Sequence, residues 1–201
     1  MRGSKSDNMK KLNVLILGLI VTMGLSSCMK EDSYDEGKQY AIEKPQLEQY
    51  ANEHFENPEI NETTGIWFEV LEEGDPDSYE YTIIQNADNP NNPYVEAPKV
   101  RVKYTLSLLD GSVVEEETTG VEMSIGGTIF AWQYAFLPQE IDGREIIGLT
   151  QTGLKTGSRI RFVTPSRWAY RNSTQPGIAP NTPLVFDIEV LDIQSPEDDT
   201  E

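Results

Sequence analysis

The stretch Val100-Arg-Val-Lys-Tyr-Thr-Leu-Ser-Leu-Leu-Asp-Gly111 decides the fold. Val100, Val102, Tyr104, Leu106 and Leu108 alternate with Arg101, Lys103, Thr105 and Ser107. That is the period of a strand with one wet face. Asp110-Gly111 is a strong hairpin signal, so Ser112 to Glu117 is expected to return antiparallel. Arg159 to Val163 repeats the alternation with Ile160 and Phe162 inward. Leu184 to Ile193 puts Leu184, Phe186, Ile188 and Val190 on one face and Asp187 and Glu189 on the other. Ile66 to Leu71 and Tyr79 to Gln85 are weaker strand-like runs. Pro45 suits the first turn of a helix running to about Phe55, with Leu47, Tyr50, Ala51 and His54 on one face. The expected fold class is α+β, an antiparallel sheet with little helix.

Composition narrows the function classes. The 201 residues include 34 acidic and 16 basic side chains, a formal charge of −18. A chain this acidic is a poor match for a run of phosphates, so no nucleic-acid partner is expected. One cysteine and one histidine, Cys28 and His54, cannot form an internal disulfide or a Cys/His zinc cluster. No metal or cofactor is expected. Fifteen glycines, twelve prolines and nine tyrosines suit a turn-rich sheet.

The first 28 residues read as an address. Lys10 and Lys11 lead into the apolar run Val14 to Val21, too short for a bilayer span but flanked like a secretory signal. It ends at Leu25-Ser26-Ser27-Cys28, which looks like a bacterial lipobox, with Cys28 the lipidated residue and the membrane reached through acyl chains. Four basic and one acidic residue lie up to Cys28, which leaves 12 basic and 33 acidic beyond it, a net −21. A surface so acidic supplies no polybasic patch, and stable attachment needs more than one acyl chain. Met29-Lys-Glu-Asp32 and Asp35-Glu36 resemble an acidic tag for export to the cell surface; a solvated tether is the plainer alternative. The expected location is the bacterial envelope, lipid-anchored at the outer membrane on its periplasmic or surface face.

Two stretches carry a family resemblance. Val100 to Gly111 is similar to V-x-V-x-Y-T-G-x-L-x-D-G of the FKBP-type (macrolide-binding) peptidyl-prolyl isomerases. Leu154-Lys-Thr-Gly157, Arg159 to Tyr170, Gln175-Pro-Gly-Ile-Ala-Pro180 and Leu184 to Leu191 resemble the rest of its pattern in order. The resemblance covers roughly residues 96–194. It implies a sheet of about five to six strands wrapped around a short helix, and an enzyme that turns X-Pro bonds in proline-containing proteins or peptides, with macrolides among its ligands. Chaperone activity toward extracytoplasmic proteins is part of the same expectation.

Residue by residue, the resemblance places Tyr104 and Phe186 on the pocket walls. It gives Tyr170 a hydroxyl for a substrate carbonyl and Ile178 a backbone N–H for similar work. By themselves, Tyr104 and Phe186 read equally well as core. A phenylalanine-aspartate pair of the family falls on Val114 and Glu115, and its aromatic floor on Ile147 by ungapped counting, or Leu149 with a gap. Phe130, Trp132, Tyr134 and Phe136 recur at strand period in a segment about a dozen residues longer than usual for the family. An extra strand or flap on the sheet is the plainer expectation; the sharper one puts Trp132 in place of the missing floor.

The expected organisation is a cleaved leader over 1–27, an acidic tether over 28–44, a helix and extra strands over 45–95, an isomerase-like domain over 96–194 and an acidic tail over 195–201. A non-catalytic binding module on the same fold is the rival reading, and a surface lipoprotein of nutrient capture a more distant one.

Overall fold

The computed structural model describes residues 34–86, 89 and 93–196. Cys28, the apolar leader and the tail from 197 lie outside the described residues. The chain divides into two compact units, Met1–Tyr34 and Asp35–Glu201, and the fold is that of the second.

In chain order come helix α1 (Glu36–His54), strands β1 (Glu59–Asn61), β2 (Ile66–Glu72), β3 (Ile83–Ile84), β4 (Tyr94–Val95), β5 (Lys99–Ser107) and β6 (Val113–Ser124), and a 3-10 turn at Ile125–Gly127. Helix α2 (Phe130–Phe136), β7 (Glu140–Ile141), β8 (Arg144–Glu145), β9 (Arg159–Thr164), a 3-10 turn at Ser166–Trp168 and β10 (Leu184–Gln194) follow. Six strands form one sheet in the order β1-β2-β9-β10-β5-β6. Every pairing in it is antiparallel. The fold is α+β, with a helix on the N-terminal side of the domain.

The alternation along the strands produces two cores. Ile160 and Phe162 of β9, with Leu184, Phe186, Ile188 and Val190 of β10, join Val102 and Leu106 of β5 on the front face, against Trp132 and Phe136 of α2. On the back face Val163 is the register partner of both Trp67 and Val185. That apolar strip receives Leu47, Ala51 and Phe55 of α1. Beyond it the back face turns to cross-strand ion pairs: Arg161–Asp187 at 2.9 Å, Arg159–Glu72 at 3.2 Å and Lys103–Glu189 at 3.5 Å. The β5–β6 hairpin closes as the Asp-Gly signal requires, with Gly111 at φ 84° and Asp110 Oδ1 accepting from the Ser112 N–H at 2.9 Å.

Three local expectations change. Helix α1 begins at Glu36, so the helix reaches into the segment read as tether, and Pro45 lies inside it. An interior proline costs about 3 kcal/mol or more, yet the upstream turns hold. Asp35 caps the helix by accepting from the Lys38 N–H at 3.0 Å, and Glu43 is buried against the domain. At the far end, Glu69 accepts from the N–H groups of Glu56 and Asn57 at 2.9 and 2.7 Å. Second, the Tyr79–Gln85 run keeps only Ile83–Ile84 as strand. Tyr79 and Tyr81 are anchored in the core instead, and the Tyr81 hydroxyl donates to the Leu154 carbonyl at 2.7 Å. Third, the aromatic stripe at 130–136 is a helix rather than a strand.

Leu47 is wholly buried between α1 and the sheet. Leu47→Ala is expected to cost about 2–5 kcal/mol, read as a lower urea midpoint with an unchanged slope.

Candidate functional site

The front core is left open along one edge. There a cavity of about 280 Å³ is lined by Tyr104 and Leu106 of β5, Glu115 and Met123 of β6, Thr128 and Ile129 ahead of α2, Trp132, Tyr170 and Phe186. Its base is Trp132, only 4 % exposed, whose ring meets Tyr104 edge-on at 5.2 Å and Phe186 edge-on at 5.8 Å. Phe186 in turn stacks on Phe162 at 5.1 Å. The rings are thus locked by core packing and present their remaining surface to the cavity.

Helix α2 explains the aromatic stripe. Phe130–Tyr134 and Trp132–Phe136 are i,i+4 pairs, each stacked, at 6.2 and 6.1 Å. Ala131 and Ala135 are fully buried between them. A four-residue spacing belongs to both the helical and the strand period, so seven residues cannot separate them by spacing alone. Trp132 lies in the first turn of this short helix.

The other sequence-derived positions fall unevenly. Ile147 is 47 % exposed and does not line the cavity, so the floor expected there is supplied by Trp132. Leu149 is buried in the core, its N–H bonded to the Tyr134 carbonyl. The Ile178 N–H, expected to meet substrate, donates to the Gln175 carbonyl at 3.0 Å, and Gln175 N–H returns the bond to Ile178 at 3.0 Å. Ile178 itself is buried core, and the tight turn has used its donor. Val114 packs on the same loop: a Cβ on Gly177 would come within 3.2 Å of it. Met123, Thr128 and Ile129 line the cavity and were missed by the sequence reading. The Gly126-Gly127 turn leading into α2 was the available signal.

Besides Thr128, polarity at the cavity comes from Tyr104, Glu115 and Tyr170. The Tyr104 hydroxyl donates to Glu115 Oε1 at 2.5 Å. Burial first, then this bond to a carboxylate, pushes the Tyr104 phenol well above its ordinary value. Tyr170 is raised by burial and by the Glu115 charge. Among the described residues its hydroxyl has no hydrogen-bond partner, so it is free to donate to a carbonyl. Phe130, Tyr134 and Trp168 form a further ring cluster, with Trp168 edge-on to both partners at 6.4 and 5.3 Å.

A larger open cleft of about 520 Å³ lies elsewhere, beside Tyr79, Tyr81 and Lys155. Asp77, Glu80, Glu140 and Asp142 line it, and Lys155, its ammonium pKa lowered by burial, donates to the Tyr79 carbonyl. The smaller cavity is lined mainly by rings and apolar side chains, and the larger cleft is rimmed by carboxylates. Among the described residues no group of three or more His, Cys, Asp or Glu is placed to hold a metal ion.

Comparison with known proteins agrees with this geometry. Residues 92–191 match the family model of the FKBP-type peptidyl-prolyl cis-trans isomerases, and through this segment the chain belongs to that family. It is 33 % identical over 106 residues to the FKBP-type peptidyl-prolyl cis-trans isomerase FkpA of Escherichia coli, covering 49 % of this chain and 34 % of that protein. It is 29 % identical over 100 residues to FK506-binding protein 4 of Candida glabrata, covering 48 % of this chain and 21 % of that one. The match therefore spans about a third or less of the length of these relatives. The crystal structure of E. coli FkpA superposes with a TM-score of 0.55 at 22 % identity, covering 96 % of this chain and 76 % of that one. A peptidyl-prolyl cis-trans isomerase from Pseudomonas syringae pv. tomato gives 0.52 at 20 % identity, covering 81 % and 98 %. These likenesses establish the fold.

A phenol with raised ionisation adds stability below the ordinary tyrosine range, about pH 10, and that contribution is lost as pH climbs toward its own higher value. In an alkaline titration at 295 nm, Tyr104→Phe is expected to remove one late-ionising phenol. Glu115→Gln should move that phenol earlier without bringing it to the ordinary value, because burial is the larger cause.

Proposed function

We propose that the protein is a peptidyl-prolyl cis-trans isomerase acting on extracytoplasmic proteins from a lipid anchor at Cys28. The observation that supports this most is the cavity in which the rings of Tyr104, Trp132 and Phe186 converge beside the Tyr170 hydroxyl.

The barrier to X-Pro rotation, about 18–20 kcal/mol, is amide resonance, and no bond to a substrate atom has to break. Twisting the C–N bond removes the resonance, leaving a less polar carbonyl and a pyramidal nitrogen. A site that excludes water lowers the planar amide's advantage over the twisted one. Trp132, Tyr104 and Phe186 would grip the pyrrolidine ring and shed its water. Tyr170 would hold the carbonyl on the preceding residue while the chain beyond proline turns. Glu115 fixes the Tyr104 ring through its hydroxyl, which leaves Tyr170 as the donor. Macrolides that mimic a twisted prolyl amide are candidate inhibitors of the same cavity, and chaperone activity toward folding envelope proteins is part of the proposal.

In a proline-isomerisation assay the chain is expected to accelerate exchange, a macrolide inhibitor to abolish it, and Tyr170→Phe to lower it about tenfold, the scale of one charge-free hydrogen bond. Trp132→Ala should lower both affinity and stability, since the ring serves core and cavity. A well-folded chain that leaves the rate unchanged over several residues preceding proline would sink the isomerase reading in favour of a non-catalytic peptide-binding module. Separately, Cys28→Ala is expected to abolish incorporation of labelled palmitate and to release the protein from the membrane fraction; unchanged labelling would overturn the anchor. Digestion of intact cells distinguishes the surface from the periplasmic face.

A further inference from the structure

Away from the cavity the chain buries a carboxylate that the isomerase chemistry does not use. Glu43 of α1 is 1 % exposed. Its oxygens accept from the Ser166 N–H at 2.9 Å, the Ser166 hydroxyl at 2.5 Å and the Gln39 amide at 2.7 Å. A buried carboxylate is costly unless donors surround it, and charge-assisted bonds of this kind are among the stronger ones. Such a group holds its donors in place.

What it holds leads directly to Tyr170. Ser166 opens the 3-10 turn Ser166–Trp168, and the Arg171 N–H returns to the Ser166 carbonyl at 2.8 Å, closing a loop around Tyr170. Arg171 sits at φ 54°, so this backbone has no regular element to hold it. The next residue of the turn is clamped from the same side. The Arg167 guanidinium lies over the Tyr40 ring at 3.9 Å and the Trp168 ring at 4.8 Å. Arg167 and the Trp168 indole N–H both donate to the Thr64 carbonyl, at 2.6 and 2.7 Å. Glu43, Tyr40 and Thr64 all precede residue 92, outside the segment that matches the family. The loop bearing Tyr170 is therefore braced by parts of the chain that the isomerase segment does not contain.

We infer that Glu43 is a positioning residue: through Ser166 it sets the Tyr170 loop at the cavity, so that turnover depends on helix α1. The inference rests on the isomerase reading. It makes α1, an element outside the segment that matches the family, part of the working enzyme.

The test compares Glu43→Gln and Ser166→Ala in the full chain with two controls, Glu53→Gln on the exposed side of α1 and Ile193→Val in the core away from the loop. Glu43→Gln is expected to lower kcat about tenfold with KM within about twofold, as misplacement of a substrate-contacting group does. It should speed amide exchange at Ser166 and Arg171 about tenfold or more, while β5 and β10 keep their protection. Ser166→Ala, which keeps the carboxylate and removes one donor, should move both readouts in the same direction and serves if Glu43→Gln does not fold. Ile193→Val should lower the melting temperature with kcat unchanged, and Glu53→Gln should change neither. A Glu43→Gln chain that melts earlier but keeps kcat, or whose Ser166 and Arg171 amides exchange as in the parent, overturns the inference. A parent chain without turnover would sink the isomerase reading by itself, and exchange at Ser166 and Arg171 would then decide whether the brace exists.

Discussion

The rest of the structure depends on the two-faced use of β10. Its alternation sends Phe186 forward onto Trp132 and Phe162, and Val185 backward onto the strip that receives α1. Because successive side chains of a strand point to opposite faces, a slip of one residue would exchange the two sets. The register is held from both sides, by β9 and by β5, and by the ion pairs of Asp187 with Arg161 and of Glu189 with Lys103. Exposed pairs of this kind contribute little energy singly. Their placement opposite one another favours the correct register over its neighbours.

The cavity is best understood as a part of the front core that was never closed. Tyr104, Trp132 and Phe186 are core residues by their contacts and site residues by their position, and the two roles share the same atoms. This gives rigidity without added machinery, since rings locked against one another hold the shape of the cavity. The hydrogen bond from Tyr104 to Glu115 at the cavity ties β5 to the edge strand β6. Glu117, two residues on, accepts from Thr119 and Gly120 and turns the same edge strand through a bulge. The carboxylate run of β6 is thus structural at both positions.

Much of the site was legible, and the failures have a common cause. Strand alternation turns Tyr104 and Phe186 inward, the family resemblance puts them on the pocket walls, and both reach the cavity. Tyr170 was placed by the resemblance, and it too reaches the cavity. Trp132 was visible as a ring in a stripe, but a four-residue recurrence fits strand and helix alike, and only burial of Ala131 and Ala135 selects the helix. Ile147 was placed by counting back from Gly157 across a segment of unusual length, and counting fails where residues are inserted. The Ile178 N–H was carried over from the resemblance, while its availability depends on a turn partner, Gln175, three residues away. Helix α1 was started too late because proline is a strong local stop signal. The anchors that carry the helix past it, Glu43 on Ser166 and Tyr40 on Arg167, are more than a hundred residues distant in sequence.

By itself the sequence determined the main strands of the sheet, their inward and outward faces and the Asp-Gly hairpin. Those features are local or periodic, and each is written in the spacing of neighbouring side chains. Only the tertiary structure decided which ring became the base of the cavity, which donors were left free and what braces the Tyr170 loop. Each of these turns on a contact between distant segments, whose energy is absent from any window of the chain and exists only once the elements have packed.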